Sequence, residues 1–84
     1  MKNNLYVVFL GGSLPPNRIG EDHEIVFVVA KNQMDAEIKA KQKWQGYTNY
    51  GVHIDSIKKI NEVDNYKLEL VKIKSDEKLN KFFK

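Results

Sequence analysis

The sequence predicts an α+β fold: a two-layer sandwich with one main helix on one face of a four-stranded mixed sheet, in the order β-β-α-β-β. Two apolar runs of strand length, Leu5 to Leu10 and Ile25 to Ala30, precede one capped helical segment, and alternating segments follow it. The chain has 84 residues, and a chain this short buries only about 60–65% of its unfolded surface. It can hold one core, which excludes a large enzyme with a deep cofactor cleft.

Each expected element has a local cause. Leu5–Tyr6–Val7–Val8–Phe9–Leu10 and Ile25–Val26–Phe27–Val28–Val29–Ala30 are apolar on both faces, as in strands covered on both sides. Between them Gly11, Gly12, Pro15, Pro16, Asn17 and Gly20 supply turn chemistry over about a dozen residues, longer than most hairpin loops. Asn32 suits a helix N-cap, Asp35 places negative charge in the first turn, and the helix is expected to reach about Trp44, with Gly46 ending it. Asp35 with Lys39 and Glu37 with Lys41 are acid-first pairs four apart. Met34, Ala36, Ile38, Ala40 and Trp44 read as a broad apolar arc, with Trp44 filling the core.

In the second half, the alternation from Val52 to Ile60 slips after Ser56, which predicts a third strand with a bulge or an early end. Asn61 to Asn65 is a turn, and Tyr66, Leu68 and Leu70 alternate with Lys67 and Glu69 as a fourth strand with one wet face. Ser75, Asp76 and Glu77 can start a short amphipathic helix carrying Leu79, Phe82 and Phe83. Residues 1–74 then form the domain and 75–84 a C-terminal extension.

A right-handed crossover through the helix makes strands two and three parallel, with strand one between them and the fourth strand outermost. One helix covers one face only, so the other face of strands one and two needs cover. Leu79, Phe82 and Phe83 could supply it, as could a second copy of the chain. The leading functional expectation is therefore a binding or assembly module, a homodimer joined through the apolar sheet face, rather than an enzyme.

Composition narrows the classes further. There is no cysteine, which excludes disulfides, thiolate zinc sites, iron–sulfur clusters and cysteine nucleophiles. Hydrophobic residues are 42%, charged residues 30% and the formal charge is +3, with a mean hydropathy of −0.53, all typical of a folded globular chain. Of 14 basic residues only Arg18 is an arginine, and no nucleic-acid-binding motif is present, so no nucleic-acid partner is expected. The six-residue run Leu5–Leu10 is far short of the roughly 20 residues of a membrane helix. With no recognisable signal peptide, a cytoplasmic protein without a membrane partner is expected.

Several short motifs recur in a known order: Phe9–Leu10–Gly11–Gly12; Glu21–Asp22–His23–Glu24 leading into Phe27–Val28; Lys43–Trp44; His53–Ile54–Asp55–Ser56; and Val63–Asp64–Asn65–Tyr66. In these the chain, from about Leu5 to Val71, resembles a small bacterial family, domain of unknown function 1543. Glu24 stands where that family has Asp, and Asn65 where it has Gly, so a carboxylate and a residue tolerant of left-handed backbone are kept. The resemblance implies one compact bacterial domain and brings no activity with it.

The chemistry available centres on two histidines. His23 lies between Asp22 and Glu24, and His53 stands two residues before Asp55. If strands two and three are parallel, both histidines lie at the same end of the sheet and can converge across strand one. His23, His53 and Asp55, with Glu24 and the Gly11–Gly12 pair as further ligand-binding candidates, would then suit a divalent metal or acid–base work. No catalytic set and no resident cofactor are called for otherwise. Gly11, Gly12 and Gly20 fit neither a dinucleotide nor a phosphate-loop pattern and are read as turn residues.

Overall fold

The computed structural model describes residues 2–74. Its elements are β1 (Asn4–Ser13), β2 (Glu21–Ala30), α1 (Gln33–Gln42), β3 (His53–Ile60), β4 (Glu62–Val63) and β5 (Tyr66–Lys67). β1 is the central strand of a three-stranded sheet ordered β2-β1-β3 and is antiparallel to both neighbours. β2 and β3 therefore run in the same direction on either side of it, joined through α1.

The expected single sheet of four mixed strands is corrected. Every paired neighbour is antiparallel, and the fourth strand is replaced by a separate two-stranded ribbon, β4 with β5. Asp64 (φ 54) and Asn65 (φ 69) both adopt left-handed backbone, the geometry of a tight two-residue hairpin turn. The turn folds Tyr66 onto Val63 and Lys67 onto Glu62, and the Leu68 amide donates to the Asn61 carbonyl at 2.9 Å. Residues expected to extend the main sheet thus pair with the segment immediately before them.

Strand alternation sends Tyr6, Val8 and Leu10 of β1 and Val28 and Ala30 of β2 to one face, where they pack with Ala36, Ala40 and Trp44. The two alanines bring the helix close to the sheet. Val26, Val52, Ile54 and Ile57 complete this core from its margins. Leu10, Val8 and Val28 are fully buried, each contributing about 1.5–3 kcal/mol by burial.

The Asn32 side chain caps the helix by accepting from the Asp35 amide at 2.9 Å, and Lys43 is the C-cap, so the helix stops just short of Trp44. Met34 and Ile38, expected in the apolar arc, are instead exposed. They lie two residues from the buried alanines, about 200° around the helix, and so on its outer side. Lys39 does not pair with Asp35. Its ammonium donates to the Val29 carbonyl at 2.7 Å, and Lys43 donates to the Phe27 carbonyl at 2.5 Å. Both cap outward-facing carbonyls on the β2 edge.

The first two strands are longer than the sequence suggested, leaving only residues 14–20 as their loop. Gly11 and Gly12 are strand residues, paired with His23 and Asp22, and not turn residues; of the glycines only Gly20 and Gly51 have positive φ. The face away from the helix carries Phe9, Ile25, Phe27 and Val29, with Ile25 60% and Phe27 56% exposed. The segment expected to cover it, with Leu79, Phe82 and Phe83, lies outside the described residues, as does the expected C-terminal helix. Among the described residues no helix is long and apolar enough to cross a membrane.

Candidate metal centre

On the open face, Gly11 in the central strand is paired in register with His23 of β2 on one side and His53 of β3 on the other. Residues directly opposite in an antiparallel ladder project to the same face, so both imidazoles stand beside a position with no side chain. A Cβ on Gly11 would lie 2.6 Å from His53 Nε2 and 2.9 Å from Asp55 Oδ2. The glycine is thus the floor of the site.

Two carboxylates complete it. Glu21 precedes His23 by two residues in β2 and shares its face. Asp55 has no partner in β1, because the register shifts between Phe9 and Leu10, with Phe9 opposite Ser56 and Leu10 opposite Ile54. This bulge also explains the spacing of Ile54 and Ile57: three apart, both pack against the core.

The four side chains close a ring of contacts. His23 Nε2 lies 3.3 Å from Glu21 Oε1 and 3.6 Å from Asp55 Oδ2, and His53 Nε2 lies 3.6 Å from Glu21 Oε2 and 3.0 Å from Asp55 Oδ1. Each carboxylate bridges both imidazoles. One ligand atom from each of Glu21, His53 and Asp55 falls within 4.8 Å of the others. Among the described residues no lysine or arginine takes part in these ion pairs.

His53 Nδ1 is 3.2 Å from the Gly51 carbonyl oxygen, and Gly51 has φ 79, a conformation that favours glycine. Both nitrogens of His53 therefore face oxygen acceptors, Gly51 on one side and the carboxylates on the other. A neutral imidazole carries one N–H and can satisfy only one side. His23 is held differently: its ring stacks on Phe9 at a centroid distance of 5.3 Å and an angle of 12°, and its amide donates to Asp22 Oδ1 at 2.9 Å. The His23 and His53 side chains are each 44% exposed, so the cluster is open to solvent.

The structure thus brings His23, His53 and Asp55 together over Gly11. Gly12 and Glu24 lie on the opposite face: a Cβ on Gly12 would stand 2.6 Å from the Trp44 ring, and Glu24 Oε2 accepts the Gln45 amide at 3.2 Å. Glu21 is the member that sequence reasoning missed. Its signal is the two-residue spacing from His23, which marks a shared face once β2 is known to begin at Glu21.

The fold and cluster define a small antiparallel α+β domain with a histidine–carboxylate group on its uncovered sheet face. The family model for Domain of Unknown Function (DUF1543) matches residues 18–70, and the chain belongs to that family. The match contains Glu21, His23, His53 and Asp55, while Gly11 precedes it. A solved structure, the crystal structure of a protein Il1583 from Idiomarina loihiensis, is similar at 35% identity and a TM-score of 0.69. The likeness covers 79% of this chain and 44% of that protein, so the chain spans less than half of its length. No curated protein matches the chain.

Proposed function

We propose that the domain binds a divalent transition-metal ion through Glu21, His53 and Asp55, with His23 as a fourth ligand. The observation that carries this is the environment of His53. An acceptor stands at each of its ring nitrogens, at 3.2 Å from Nδ1 and 3.0 Å from Nε2. A neutral imidazole that donates from Nδ1 to Gly51 would direct its Nε2 lone pair at two carboxylates, an arrangement that a cation relieves. A backbone carbonyl orienting the far nitrogen of a metal-bound histidine is a usual outer-sphere device.

The spacing supports the same reading. Two ligand atoms bound at about 2.0–2.2 Å to one ion, at angles from 90° to tetrahedral, are about 2.8–3.6 Å apart. The four nitrogen–oxygen contacts run from 3.0 to 3.6 Å, each to a different carboxylate oxygen, and one ligand atom from each of Glu21, His53 and Asp55 lies within 4.8 Å of the others, so small side-chain rotations would gather them on an ion. Imidazole nitrogen with carboxylate oxygen suits zinc and its neighbours better than magnesium or calcium. In the single chain the cluster is open to solvent, which leaves an entry path for the ion.

Isothermal titration of the full chain with zinc is the test. One ion per chain is expected, with affinity reduced at least about tenfold in folded His53→Ala and Glu21→Gln variants. Absence of binding, or equal affinity in both variants, overturns the proposal.

A further inference from the structure

We infer that the open sheet face joins two copies of this chain face to face, about a two-fold axis lying between the sheets and crossing the strands at the level of Phe9. Three observations favour a second copy in this mode. First, the face presents an apolar row, with Phe9, Ile25, Phe27 and Val29 38–60% exposed while the opposite face holds the buried core. Second, the Lys39 and Lys43 ammonium groups occupy the Val29 and Phe27 carbonyls. Growth of the sheet by strand addition at the β2 edge is thereby obstructed.

Third, the charges on this face are self-complementary. Its acids, Glu21 and Asp55, lie at the Gly11–Ser13 end, while Lys58 is opposite Val7, one face-sharing step to the other side of Phe9. Among the described residues no ion pair holds Lys58. The proposed axis inverts levels along the strands and keeps β3 over β3. It lays Phe9 on Phe9 and Ile25 on Ile25, and sets Lys58 of each copy at the Gly11 level of the other, where the Asp55 carboxylate stands.

Three strands about 4.8 Å apart and ten residues at about 3.3 Å each make a face on the order of 500 Å². Two such faces bury on the order of 1,000 Å², the lower bound of a specific interface, so a micromolar dimer is expected.

The experiment is sedimentation equilibrium on the full chain in a chelating buffer, over about 5–500 µM, which spans the expected affinity. Chelation separates this result from the outcome for the metal site. The native chain is expected to dimerise, and folded Phe27→Glu and Lys58→Glu variants to dissociate at least about tenfold more readily. A native chain that is monomeric throughout the range overturns the inference, whether its own C-terminal segment or solvent covers the face. A dimer indifferent to either substitution also overturns it.

Discussion

A methyl group on Gly11 would stand 2.6 Å from His53 Nε2, so the imidazole occupies space that only glycine leaves in the central strand. Gly11→Ala is therefore a test of the site rather than of the fold. The atoms it displaces are the ends of the His53 and Asp55 side chains, both partly open to solvent, and they can swing outward. Thermal melts are expected to move by less than about 1 kcal/mol of stability. Zinc affinity, measured by calorimetry, is expected to fall at least about tenfold as the ligands leave position.

Gly46 gives the opposite result. A Cβ there would collide with the Trp44 ring, which is 6% exposed and tied by its indole N–H to the Thr48 carbonyl at 2.8 Å. The ring cannot yield as the exposed imidazole can. Gly46→Ala is expected to cost about 1–3 kcal/mol in urea unfolding, with zinc affinity unchanged in the folded fraction.

The helix cap is separable from both. Asn32 Oδ1 accepts the Asp35 amide at 2.9 Å. Asn32→Ala is expected to lower stability by about 1 kcal/mol, and Asn32→Asp to retain most of it, both read from chemical denaturation.

Metal binding should weaken on acidification. Zinc takes the deprotonated imidazole, so protons compete for His23 and His53, and binding releases whatever protons they hold. Zinc affinity is expected to fall as the solution is made more acid. Calorimetry in buffers of different ionisation enthalpy counts the protons released.

The sheet order and the meeting of the histidines were legible because both follow from connectivity. A crossover through α1 sets β2 and β3 parallel around β1, and parallel strands begin at the same end, where His23 and His53 stand. The slip after Ser56 likewise marked the bulge that leaves Asp55 unmatched. The fourth strand was misread because alternation from Tyr66 onward does not say which segment it pairs with. A two-residue turn at Asp64–Asn65 made the nearest one the partner.

Gly11 and Gly12 concealed their role for a related reason. Glycine signals turns in a sequence, yet here each removes a side chain from a strand, one to admit His53 and Asp55 and the other to admit Trp44. With the strand ends hidden, Glu21 fell in a presumed loop and its shared face with His23 went unseen. Met34 and Ile38 were placed on the helix's inner side from apolarity alone, although their two-residue offset from Ala36 and Ala40 turns them outward.

The most direct measurement is a long-range proton–nitrogen correlation spectrum of the histidine side chains during zinc addition to the full chain. The account predicts that the Nε2 resonances of His23 and His53 move together and stop moving at one equivalent, with Nδ1 of His53 remaining the protonated nitrogen. An Nε2 resonance of His53 that stays in place through a molar excess of zinc would contradict it.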